Sequence, residues 1–137
     1  MAFSTEFRNR LLTWALRPTE AVTRPSALYA ALYSAVTGPE SGTEVSGAGY
    51  ARVDVTSVFG PASAGVVASS VTVLFGTGPS GGNWTVNGVA LMDAESGGNL
   101  VTEIQETDSE VIVNDGDGAP GFEVGDMIAR LLASVAL

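Results

Sequence analysis

The sequence predicts an all-β protein: a single β-sandwich or jelly-roll-like domain with one short N-terminal α-helix. Three observations carry this. Gly is abundant, at 17 of 137 residues, while charged side chains make up only 15%, a balance that suits short strands and turns more than a helical bundle. Short segments of alternating apolar residues recur along the chain, separated by clusters of Gly, Pro, Ser and Asn. A capped helical pattern stands at the N-terminus. At this length one domain buries about two-thirds of its surface on folding, and 45% hydrophobic residues supply a core.

The helix is expected over residues 5–16. Ser4 is a natural N-cap, and Glu6 places a negative charge at the positive end of the dipole. Phe3, Phe7, Leu11 and Ala15 form a stripe, with Leu12 and Leu16 beside it and Arg8 and Arg17 on other faces. Pro18 ends it, because the residue before a proline is pushed out of the helical region. Residues 17–26, with two prolines, form an extended linker. Residues 1–26 are thus a helix-and-linker arm, and residues 27–137 are the β domain. The apolar helix face either closes one end of the core or docks on a neighbouring subunit; a short helix needs packing from one or the other.

Residues 27–34 fit two patterns. Leu28, Ala30 and Leu32 alternate with Tyr29, Ala31 and Tyr33, as in a strand with an aliphatic and an aromatic face; Leu28, Ala31, Leu32 and Ala35 also fit a helix. Residues 36–49 read as a long loop. Tyr50–Val55 alternates again, with Ala51, Val53 and Val55 facing inward, and Gly60-Pro61 is a turn. Val66–Phe75 reads as a strand with Val71, Val73 and Phe75 on one face, and Gly76–Asn83 as a loop. Trp84–Asp93 is a strand with Trp84, Val86, Ala90 and Met92 on one face. Gly97-Gly98-Asn99 is a turn from which Leu100–Gln105 returns as a hairpin, and Glu110–Val113 is a short strand. Asn114–Gly121 is an acidic turn. The set Met127, Ala129, Leu131, Ala133, Val135 and Leu137, at period two, favours a final strand over a helix.

Composition excludes much chemistry. The chain has no Cys, hence no disulfide and no thiolate metal site, and no His, hence no imidazole base or ligand. All six basic residues are Arg. Five of them lie in residues 1–52 against four acids, whereas residues 53–137 hold one Arg against eleven acids, within a net charge of −9. Such an acidic body repels phosphate backbones, so no nucleic-acid partner is expected. No segment reaches the roughly 18–20 apolar residues of a membrane span. Glu6, Arg8, Asn9 and Arg10 interrupt any signal-peptide pattern, so synthesis in the cytoplasm and no membrane partner are expected.

The remaining candidate sites are weak. Asn114-Asp-Gly-Asp-Gly118 resembles part of a calcium loop, but Ala119 and Pro120 stand where an oxygen ligand and a glycine are needed, so an acidic turn is the better reading. Glu103, Glu106, Asp108 and Glu110 suit a solvated strand edge more than a catalytic carboxylate pair. Gly76-Thr-Gly-Pro-Ser-Gly-Gly82 lacks the Lys-Ser/Thr ending of a phosphate loop. Trp14, Tyr50 and Trp84 would stack on sugars if exposed, although aromatics on alternating strands are more often core. Neither catalysis nor a cofactor nor a metal is expected.

Five pieces of sequence occur in a telling order. They are Phe-x-x-x-Leu-Leu in the helix; Leu28-Tyr-x-Ala-Leu-Tyr; Gly42-Thr-Glu-Val-Ser-Gly-x-Gly-Tyr-Ala-Arg52; Trp84-x-Val-x-x-x-Ala-Leu-Met-Asp-Ala-x-x-Gly-Gly-Asn-Leu100; and Val124-Gly-Asp126. Over nearly its whole length the chain resembles small tailed-bacteriophage virion proteins, of the capsid decoration (cement) or tail-fibre type. The resemblance implies a non-enzymatic β-sandwich subunit present in many copies, trimeric when it decorates a capsid, and it tips residues 28–34 toward strand. Its first functional reading is a protein that decorates and stabilises the capsid, with the major capsid protein and its own copies as partners. The second is a tail fibre or tip protein that aids host attachment; a carbohydrate-binding module is a more distant third. Phe3, Phe7 and Trp14 are the apolar anchors and Arg8, Arg10, Arg17 and Arg24 the cations expected at a protein interface.

Overall fold

The computed structural model describes residues 1–130. Helix α1 spans Thr5–Leu16, and Ser4 caps it as expected: its hydroxyl accepts the Phe7 N–H at 3.2 Å. The same hydroxyl donates to the Leu100 carbonyl at 2.6 Å, so the cap also ties the helix to the body. The Glu40 carboxylate accepts the Thr5 N–H, which places a further negative charge at the positive end of the helix dipole. At the other end the Arg17 N–H closes on the Thr13 carbonyl at 2.9 Å, and Pro18 follows. Residues ahead of the helix run antiparallel to 101–103: Phe3 bridges Thr102, Ser4 N–H reaches the Val101 carbonyl at 3.0 Å, and Glu103 N–H reaches the Ala2 carbonyl at 2.7 Å. The chain start is therefore stitched into the β body rather than hanging from it.

Nine strands follow among the described residues: β1 (Tyr29–Gly38), β2 (Ser41–Glu44), β3 (Val53–Asp54), β4 (Val66–Ala68), β5 (Val73–Leu74), β6 (Asn83–Met92), β7 (Gln105–Asn114), β8 (Gly121–Phe122) and β9 (Ile128–Arg130). The main sheet has the order β2-β1-β6-β7, all antiparallel, with β3 pairing the start of β1 beside β2. Two antiparallel ribbons, β4–β9 and β5–β8, complete the fold. The protein is thus an all-β domain with one short N-terminal helix.

The helix-or-strand ambiguity at residues 27–34 resolves as strand, because β1 lies inside the sheet with partners on both sides. Its two faces are the two seen in the sequence. Ala30 and Leu32 enter the larger core cluster with Trp84, Val89 and Leu91, while Ala31 and Tyr33 pack with Ala90, Met92 and Ile104 on the opposite face. Val55, Val73, Phe75 and Met127, from β5 and the loops, join the larger cluster and form its second layer. Two edge-to-face aromatic pairs brace that layer: Tyr50 with Trp84, ring centres 5.7 Å apart, and Phe75 with Phe122 at 6.3 Å.

Several sequence expectations need correction. Trp84, Val86, Ala90 and Met92 do not share one face: Trp84 and Val86 point into the larger cluster with Val89 and Leu91, while Ala90 and Met92 point the other way. A bulge explains the change of phase. Between Val86↔Val111 and Gly88↔Glu106 the register jumps, so residues 107–110 loop out of β7 opposite Asn87. The Asn87 side chain bridges the gap, donating to the Ser34 carbonyl at 2.8 Å and the Glu110 carboxylate at 3.2 Å. The expected short strand Glu110–Val113 is accordingly the second half of the longer β7.

Residues 36–49 are not one loop, since 36–38 and 41–44 form the β1–β2 hairpin. Their small polar composition suits an edge strand with two register shifts, where a Cβ on Gly42 would come within 2.5 Å of the Ala35 carbonyl oxygen. Val66–Phe75 splits into β4 and β5, which leaves Val71 48% exposed while Val73 and Phe75 are buried. Of Tyr50–Val55 only Val53–Asp54 pairs, and Ala51 is exposed. Met127 and Ala129 are buried in the expected phase; the rest of that predicted strand, from Leu131 on, lies outside the described residues.

Packing around Gly88 leaves no room for a side chain. A Cβ there would stand 2.8 Å from Val36 Cγ2 and 2.9 Å from Ile104 Cγ2. Gly88→Ala should destabilise the fold by about 1–3 kcal/mol through overpacking, read as a lower urea midpoint at unchanged slope.

Candidate functional site

Two constellations stand out: a buried polar clip and an apolar groove. The clip is built from the segment 42–52. Arg52 grips Glu44 with both ends of its guanidinium, Nε to Oε1 at 2.8 Å and Nη2 to Oε2 at 2.7 Å. Its Nη1 donates to the Ala94 and Gly97 carbonyls at 2.7 and 2.8 Å. The Tyr50 hydroxyl donates to Glu44 Oε1 at 2.9 Å and accepts the Leu32 N–H at 2.9 Å. One arginine, one carboxylate and one phenol thus lock β2, the loop after it and the 93–99 turn against β1. The Arg52 side chain is only 6% exposed.

The electrostatics follow from this packing. Burial pushes the Glu44 carboxyl upward, but hydrogen bonds from Arg52 and Tyr50 together with the Arg52 charge outweigh it and hold the group below its ordinary value of 4.5. Burial, joined by the Glu44 charge, drives the Tyr50 hydroxyl far above its ordinary range, and Tyr33 moves the same way. The clip is satisfied internally, and none of its three side chains lines the groove. The sequence drew attention to this segment without revealing a role for Glu44, Tyr50 or Arg52; the spacing of an acid, a phenol and an arginine at six and eight residues was the available signal.

The groove lies between α1, the linker and the β body, with a volume of about 480 Å³. Phe3, Phe7, Arg10, Trp14 and Arg24, five of the seven residues singled out in the sequence, line it. The Phe3 and Phe7 rings touch, with centres 5.1 Å apart, and pack on the larger core cluster. Farther along the helix Trp14 is 70% exposed. Arg10 pairs with Glu6 one turn back. Arg24 makes no ion pair or side-chain hydrogen bond among the described residues. The other two residues lie elsewhere: Arg8 reaches Glu103 at 3.4 Å, and Arg17 pairs with Glu20 in the linker. Sequence reasoning missed the opposite wall, which includes Leu28, Phe59, Val67 and Ala129, because those residues are far apart along the chain and meet only through the strand topology.

The acidic turn uses its carboxylates locally. Asp117 accepts the Asn114 N–H at 2.8 Å, and Asp115 accepts the Gly81 N–H at 3.1 Å. Among the described residues no three acids converge as a metal cage would need. Trp84 is buried, and its indole N–H donates to the Gly47 carbonyl at 3.2 Å. No described helix is long and apolar enough to cross a membrane.

A small β domain with an internal polar tie and an open apolar groove has the build of a structural protein. The comparison with protein families agrees. The family described as podophage GP4 fiber I protein gp80 matches residues 2–130, and the chain belongs to that family. It is therefore a structural protein of a tailed-phage virion. No curated protein matches the chain.

Breaking the clip should be costly. Arg52→Ala leaves Glu44 partly buried without its cation and frees the 93–99 turn; a loss of about 3 kcal/mol is expected in chemical unfolding. Acid should act on the same pair. With the folded carboxyl titrating below the unfolded one, its contribution is complete above the unfolded value and fades as pH falls through the folded value. Glu44→Gln should therefore flatten the fall in melting temperature below about pH 4.5 relative to the wild type.

Proposed function

We propose that this protein is a fibre-associated subunit of a tailed-phage virion, working through protein–protein contacts in the apparatus that meets the host, without catalysis, cofactor, nucleic acid or membrane as partner. The observation that carries the reading is the family match over residues 2–130, with the word fiber in the family's description. The fold supports it: the Arg52–Glu44 pair is engaged in holding loops, and the open apolar surface is edged by arginines suited to carboxylates of a neighbour. Decoration of the capsid, the first reading from the sequence, rests on the resemblance and on the uneven charge. The fibre description favours the tail-associated alternative.

Gold-labelled antibody against the purified protein should mark fibres in electron micrographs of intact virions. Particles assembled without the protein should keep DNA-filled, heat-resistant heads yet adsorb more slowly to host cells. Uniform labelling over the head, with heads that burst at lower temperature in its absence, would instead establish decoration.

A further inference from the structure

Two surfaces of the subunit have complementary deficits. The groove beside α1 is lined almost wholly by apolar atoms and carries an arginine, Arg24, with no acid against it among the described residues. At the edge of the main sheet β7 shows the reverse. It is the last strand of its sheet, and its outer side pairs with no strand among the described residues. It exposes one large aliphatic side chain on each face, Val111 at 45% and Ile112 at 51%. Just ahead of them stand the acids Glu106, Asp108 and Glu110. The Glu106 and Asp108 carboxylates have no cation or hydrogen-bond donor among the described residues, and Glu110 meets only the Asn87 amide. An exposed isoleucine preceded by acids matches an apolar cleft with a free arginine at its rim.

From this we infer that the occupant of the groove is a second copy of this chain, which inserts Ile112 of its β7 edge beside Trp14 while its acids face Arg24. This deepens the reading of the protein as an assembly subunit and rests on it. The contact joins two different patches, so it is head-to-tail: each copy offers a groove to one neighbour and a strand edge to the next, closing into a ring or extending as a file. It also covers an aliphatic side chain on the free β7 edge, where exposed edges with aliphatic side chains otherwise invite indiscriminate association.

A head-to-tail interface has a signature that a two-fold contact lacks. Trp14→Asp spoils the groove and leaves the strand edge; Ile112→Asp, with Ile112→Arg as a second variant, spoils the edge and leaves the groove. These side chains are well exposed, so the variants should melt close to the wild type. Light scattering after sizing should find the wild type at a multiple of 13.9 kDa and each variant at that mass alone. An equimolar mixture of the groove and edge variants retains one intact interface per pair and should give two-copy particles and nothing larger. Arg24→Glu should weaken wild-type association, and adding Asp108→Arg to the same chain should restore it. A wild type that stays monomeric, variants that associate like the wild type, or a mixture that stays monomeric would each overturn the inference. None of these results bears on where gold labels the virion, so the two readings fail separately.

Discussion

The fold depends on one constraint: the pairing of β1 with β6, each buried on both faces where they meet. Ala30, Ala31, Leu32 and Tyr33 are consecutive and buried, and opposite them so are Val89, Ala90, Leu91 and Met92. A two-sided apolar pair in the middle of a sheet needs cover above and below. The rest of the chain supplies it. On one side come the two ribbons, the loop around Val55 and the start of the N-terminal segment; on the other, Ile104 and Leu100. Much of this cover is irregular backbone, whose polar groups must be satisfied or exposed.

That need explains the clip. Arg52 supplies hydrogen bonds to two carbonyls of the 93–99 turn while its charge is balanced by Glu44, and Tyr50 supplies an acceptor for the Leu32 N–H. A buried ion pair contributes little net stability against an apolar replacement of equal shape, but it admits few alternative arrangements. Here it specifies which loop lies against which strand. The Ser4 hydroxyl works likewise just beyond the same turn, capping α1 while holding it to Leu100.

Local patterns were legible in the sequence and long-range geometry was not. The Ser4 cap and Pro18 stop predicted helix bounds that the structure reproduces, and the aliphatic and aromatic faces of β1 were visible in Leu28–Tyr33. The phase of β6 was not, because a bulge is created by the partner strand: nothing around Asn87-Gly88 reveals that four residues of β7 loop out opposite it. The hairpin at 36–44 was hidden because its edge strand tolerates the same small polar residues as a loop. One wall of the groove could be read from helix periodicity. The other is assembled from β4, β9 and two loops, and no sequence spacing encodes that meeting.

The placement of the two tryptophans gives the molecule two independent optical reporters. Trp84 is 2% exposed and edge-on to Tyr50, so its emission senses the integrity of the core. Trp14 is 70% exposed at the rim of the groove, so aqueous quenchers reach it in the lone subunit and lose it when anything covers that rim. Unfolding and docking therefore leave separate fluorescence signatures in the unlabelled protein.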